Sequence, residues 1–124
     1  MNVQKLKKSI EDFKTDLDGA LLSCDIWDKA SGLSIASFNP NEKYTALFGR
    51  IVNNMETSLN DLGFPAFGEY QIIDLEVDAM LLIINVDGKY LWGNLIDKTQ
   101  TSLGLLINIS IPKARTSLID AVNE

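Results

Sequence analysis

The sequence predicts an α/β (α+β) domain of three layers, a five-stranded antiparallel sheet between helices in the order α-β-β-α-β-β-β-α. Three observations carry this. Ala79 to Val86 is apolar on both faces except at Asn85, the pattern of a strand covered from both sides. Residues 39–65 hold a helix with a marked start and a marked stop. Asp87-Gly88 separates two strand patterns, and a two-residue turn of that kind needs positive φ. A strand apolar on both faces requires helices above and below its sheet, hence three layers.

The first helix is read from Val3, Leu6, Ile10, Phe13 and Leu17, which recur at three- and four-residue steps on one stripe. Its charges oppose the helix dipole: Lys5, Lys7 and Lys8 lie at the positive end, Asp16 and Asp18 near the negative end. Lys7 followed by Glu11 is the weaker order for a pair four residues apart. This helix therefore depends on docking its stripe against the core or a partner. Gly19 opens a strand with Ala20, Leu22, Cys24 and Ile26 on one face and Leu21, Ser23, Asp25 and Trp27 on the other. Asp28 to Gly32 is a polar loop of hairpin length, and Leu33 to Phe38 returns as the second strand.

In the second helix, Asn39 suits the N-cap, Pro40 the first helical position and Glu42 the capping-box position. Tyr44, Leu47, Phe48, Ile51, Met55, Leu59 and Leu62 form its apolar stripe. Gly63 supplies the left-handed residue past the end, Phe64 folds back on Leu59, and Pro65 forbids continuation. Gly49 interrupts this helix at a cost of about 1 kcal/mol relative to alanine. Close approach of another helix or a partner would justify it, which makes Gly49 a candidate for partner docking. Drift at a tolerant position is the plainer alternative.

Three strands follow. Glu69 to Val77 alternates in part, with Ile73, Leu75 and Val77 opposite Asp74 and Glu76. Ala79 to Val86 and Tyr90 to Ile96 form the hairpin, with Gly93 leaving room for a close neighbour. Leu103 to Ile111 reads two ways. Strict alternation favours a strand, whereas a helix would align Leu103, Leu106, Ile107, Ile111, Ala114 and Leu118 and be kinked by Pro112. Pro112 to Val122 is helical on either view. Residues 1–124 read as one domain, without linker, repeat or low-complexity segment.

Composition narrows the function. Of 124 residues 46% are hydrophobic and 23% charged, an ordinary globular balance. The net charge of −6 argues against nucleic acid as a partner. The single cysteine, Cys24, cannot close an internal disulfide and fits a reducing compartment. The first residues alternate apolar and charged positions, unlike a signal-peptide core. The longest apolar stretch, Ala79 to Ile84, is far short of the roughly 20 residues that span a bilayer. A cytoplasmic protein without membrane association is expected.

The chain contains no histidine, which removes the usual general base and the commonest metal ligand. Cys24 lies on the apolar face of its strand and reads as a small buried hydrophobe. Asp74, Glu76 and Asp78 alternate like a calcium ladder but lack the glycine and distal glutamate of an EF-hand loop. Neither Gly32 nor Gly63 begins a phosphate loop. Arg50 falls on the polar side of the second helix and reads as solvated, while Trp27 and Trp92 read as packing residues. No catalytic, cofactor-binding or metal-binding residue is expected.

The segment Leu95-Ile96-Asp97-Lys98-Thr99-Gln100-Thr101-Ser102-Leu103-Gly104-Leu105-Leu106 resembles the last strand and final-helix start of the roadblock family, the dynein light chains of that name and their prokaryotic relatives. Gly19-Ala20-Leu21-Leu22 through Gly32-Leu33-Ser34-Ile35-Ala36-Ser37 is similar to that family's first hairpin. The element order matches over nearly the whole chain. The resemblance implies a kinked final helix over 103–111, although Pro112 and the Leu103–Ile111 alternation depart from the family pattern. It also implies a dimer, whose third strands pair across a two-fold axis, working as a scaffold or as a regulator of a small Ras-like GTPase. It brings no catalytic residues and no cofactor.

The third strand carries no lysine or proline to blunt it as an edge, which places Ile73 and Leu75 near such an axis. The second helix is expected on one face of the sheet, with the first and last on the other. Profilin-like, PAS-like and GAF-like domains use similar element strings, so a small-ligand sensor is the rival function.

Overall fold

A computed structural model describes residues 1–124. Helix α1 (Val3–Asp16) is capped by Asn2, whose side chain accepts from the Lys5 N–H. Leu6, Ile10 and Phe13 are buried beneath it. Its unfavourable charge order is met from outside: Asp16 pairs with Lys113, and the Ser9 and Ser117 hydroxyls lie 2.6 Å apart. Both contacts tie α1 to the last helix, so tertiary docking supports it as the sequence demands.

Strands β1 (Leu21–Asp28) and β2 (Ser34–Phe38) form the first hairpin. The expected face assignment of β1 fails at its start. A bulge between Leu21 and Ser23 leaves Leu22 exposed and turns Leu21 into the core with Cys24 and Ile26. One extra residue in a strand reverses the alternation before it.

Helix α2 (Glu42–Asp61) begins two residues later than the Asn39-Pro40 pattern suggests. Asn39 takes a left-handed φ of 46° and donates its amide to the Leu22 carbonyl, so it turns the chain instead of capping it. Asn41 is the cap, accepting from the Lys43 N–H at 3.0 Å. The C-terminus follows expectation. Gly63 at φ 76° donates to Asn60 O, and Phe64 donates to Leu59 O, the two bonds of a Schellman stop.

Strand β3 (Tyr70–Asp74) is shorter than the alternation of Glu69 to Val77 predicts. Val77, at φ 64°, turns the chain, and Leu75 lies past the strand end. Strands β4 (Ala79–Val86) and β5 (Tyr90–Asp97) are joined by Asp87, Gly88 and Lys89, one residue more than the two-residue turn expected. Asp87 and Gly88 take positive φ of 56° and 69°, and the Lys89 N–H donates to Val86 O.

The five strands form one antiparallel sheet in the order β2-β1-β5-β4-β3. Leu82 and Ile84 of β4 join Leu6, Phe13, Trp92 and Leu118 in the core beneath α1 and the final helix. Leu81 and Ile83 join Phe48, Val52, Trp27 and Leu91 beneath α2. The two-sided strand thus feeds both cores, and the layers fall on the faces expected of them.

Leu103 to Ile111 is helical, not a sixth strand. A turn α3 (Leu103–Leu105), a π segment (Leu106–Ser110) and helix α4 (Ile111–Asn123) follow without a break. The Ile111 N–H reaches back to Leu106 O, so an extra residue is looped into the turn before Pro112. A proline lacks the N–H of an ordinary turn, and widening that turn lets the helix pass through it. Leu106, Ile111, Ala114 and Leu118 point inward.

Candidate interaction surface

Chemistry inside the fold is sparse. Cys24 is buried in the core, where burial pushes its thiol up from the ordinary 9.0 to about 11. Burial shields the thiol from solution, the setting of a small core hydrophobe and not of an exposed nucleophile. Iodoacetamide at pH 8 is expected to leave the folded protein unmodified over a time that labels it fully in urea. Stoichiometric labelling of the native protein would contradict that burial. Asp74 is neutralised by Lys98, whose ammonium lies 2.6 Å away and also donates to Leu75 O. No group of three Asp, Glu or Cys side chains converges in a way that could hold a metal ion.

Among the surfaces the fold leaves open are the outer surface of α2 and the free edge of β3; β2 is the sheet's other edge. Phe48 and Val52 face the sheet, while Leu47 and Met55 remain exposed at 40% and 44%. Leu62, at 73%, extends the exposed apolar surface past the helix end. β3 is an edge strand, and Ile73 lies on its α2 face opposite Leu81. Ile73 and Leu75 are both half-buried against the α2 core.

Gly49 lies on a different flank of α2. No atom comes within 4 Å of where its Cβ would be, so nothing within this chain approaches it closely. The intramolecular explanation for this helical glycine is therefore absent. Gly49 borders two adjoining grooves between α2 and the β1–β2 hairpin, of about 570 and 440 Å³. Arg50 lines the second and enters no ion pair. The close-neighbour glycine is instead Gly93, against which the Phe48 ring is packed.

Asp25 is the residue that sequence reasoning passed over. It is 6% exposed, on the α2 side of β1. Its carboxylate accepts from the Ser34 hydroxyl and, at 2.9 Å, from Thr45 of α2. The one signal was an acid in a strand otherwise rich in buried residues, and its partners are distant in sequence.

No family model matches the sequence, and no curated protein matches it. Solved structures do match its fold. MglB of Myxococcus xanthus is 20% identical with a TM-score of 0.79, over 98% of this chain and 90% of that one. An MglB with a tetrameric arrangement is 15% identical with a TM-score of 0.72, over 94% and 88%. The roadblock/LC7 domain of Streptomyces avermitilis is 9% identical with a TM-score of 0.68, over 89% and 94%. Likeness at such low identity is a likeness of architecture, and with the same five-stranded sheet between its helices this chain has the roadblock/LC7 fold.

Proposed function

We propose that residues 1–124 form a single-domain, non-catalytic interaction module that works as a homodimer and binds or regulates a small Ras-like GTPase. The carrying observation is the exposed apolar shoulder of α2 beside the unpaired edge of β3. An edge strand with neither lysine nor proline, next to exposed Leu47 and Met55, suits a second copy of the same strand. The tetrameric arrangement of one MglB neighbour supports self-association. Scaffolding through the paired α2 helices is the more general form of the same function. The net charge of −6 disfavours nucleic acid, and no helix is long and apolar enough to cross a membrane. The unpaired, buried cysteine supports a cytoplasmic role.

A small-ligand sensor is the second candidate, and it needs a chamber between sheet and helices. The core on each side of the sheet is filled with large side chains such as Trp92, Phe13 and Phe48. A concavity of about 610 Å³ lies among Lys29, Glu56, Phe64, Phe67 and Arg115 and contains none of those core residues.

With no phosphate loop, the isolated protein is expected not to bind GTP or GDP in calorimetry. Any effect on GTP turnover should require a cognate Ras-like GTPase and act by holding its switch segments, whose order controls such proteins. Replacing Gly49 by tryptophan should weaken that docking at least about tenfold and leave fold and dimer intact, because a Cβ there meets no atom within 4 Å and the position borders open grooves. Nucleotide binding by the isolated chain would overturn the proposal.

A further inference from the structure

Asp25 presents an unusual balance of charge. Its carboxylate is more than nine-tenths buried, yet no lysine or arginine pairs with it. Two hydroxyls satisfy one lone pair on each oxygen and leave the charge uncompensated. Such a group usually has a cation beside it, because burying an unpaired charge is costly. Asp25 lines the 570 Å³ groove between α2 and the β1–β2 hairpin. The lining holds a second carboxylate, Glu42, and no cation. Trp27 contributes an aromatic surface to the same wall, and Gly32, Ala46 and Gly49 leave the passage wide.

On the reading above that α2 docks a protein partner, we propose that this groove receives an arginine side chain of that partner, with Asp25 as its acceptor. Arginine fits better than lysine for three reasons. Its planar fork can engage both oxygens of one carboxylate, it is more weakly hydrated, and it stacks on aromatic surfaces such as Trp27. Holding α2 to the sheet through Thr45 accounts for one hydrogen bond of Asp25. It does not account for the missing cation or for the open space above it.

The probe is N-acetyl-arginine amide, titrated into the ¹⁵N-labelled full chain, with the neutral citrulline analogue as control. Saturable shifts are expected at the amides of Asp25, Ser34, Thr45 and Gly49 with the arginine compound and not with citrulline. Asp25→Asn should weaken the response at least about tenfold, the loss expected of a charge-assisted contact. Should that variant fold poorly, Gly49→Leu narrows the groove while leaving Asp25 itself unchanged and should weaken binding to a similar degree. No saturation, or equal saturation by citrulline, overturns the proposal. So does an Asp25→Asn protein that melts earlier but keeps its arginine response, since Asp25 would then be an anchor of α2 only. Arginine binding in a protein that affects no GTPase would uphold the groove and remove the GTPase assignment, so the two fail separately.

Discussion

Replacing Ile73 by lysine is expected to convert a dimer of this chain into a folded monomer. Ile73 lies on β3, which has a hydrogen-bonded neighbour on one side only, β4. In a two-fold pairing of β3 with its copy, every interface residue appears twice. Fully burying an isoleucine contributes about 1.5–3 kcal/mol, and with Ile73 already half-buried in its own chain the dimer can add about half of that. Losing two therefore costs about 1.5–3 kcal/mol before any repulsion between the new ammonium groups. At 1.4 kcal/mol per tenfold, the dissociation constant rises by at least about tenfold, and further with the repulsion of the paired ammonium groups. The monomer should survive, because Ile73 is half-buried within its own chain and a lysine stem can lie along the same surface. Leu33→Lys, at an exposed residue just before β2 on the opposite edge, is the control and should leave the mass unchanged. Light scattering after size exclusion decides it. A parent protein of monomer mass, 13.7 kDa, at high micromolar concentration would remove the dimer altogether.

Much of this architecture was legible because the informative signals were local. The Asp87-Gly88 turn, the Gly63 stop and the two-sided pattern of β4 each depend on a few neighbouring residues. The failures have a common cause, which is that something distant in the chain decided the outcome. Asn39 and Asn41 are both good caps, and the contact of Asn39 with Leu22 settled which of them turned the chain. The bulge at Leu22 depends on the register of β1 against β5, which β1 alone does not reveal. β3 ends early because the chain turns at Val77, a residue type poorly suited to positive φ and hence invisible as a turn signal. The residues of Leu103 to Ile111 fit a strand by alternation and a helix by their alignment with Ala114 and Leu118, and the family resemblance favours the helix that forms. Asp25 was assigned a face but no role, because the groove beside it exists only once α2 packs on the sheet.

Replacing Gly93 by alanine is expected to destabilise the protein by about 1–3 kcal/mol, the usual cost of forcing extra volume into a packed core. Gly93 is in β5, at the centre of the sheet, between β1 and β4. A Cβ there would lie 2.6, 2.8 and 2.9 Å from Cδ2, Cγ and Cε2 of Phe48. Cγ is the fixed end of a rigid ring, so the overlap cannot be relieved by swinging a flexible tip aside. Phe48 is 2% exposed and stacked on Trp27 at 6.0 Å, so its displacement disturbs the core that holds α2. Alanine in place of glycine in a strand would itself gain up to about 1 kcal/mol, and the overlap must exceed that gain. A double-mutant cycle isolates the contact. Phe48→Leu alone should cost stability by opening space beneath α2. In the double variant the new methyl occupies part of that space, and the two losses should fall short of their sum by about 1–2 kcal/mol. Urea unfolding at one fixed protein concentration compares all four proteins under the same mass action. Additive losses, or a Gly93→Ala protein as stable as its parent, would show that α2 is not seated through this contact. A coupled result would make Gly93 the residue that sets how closely α2 lies against the sheet.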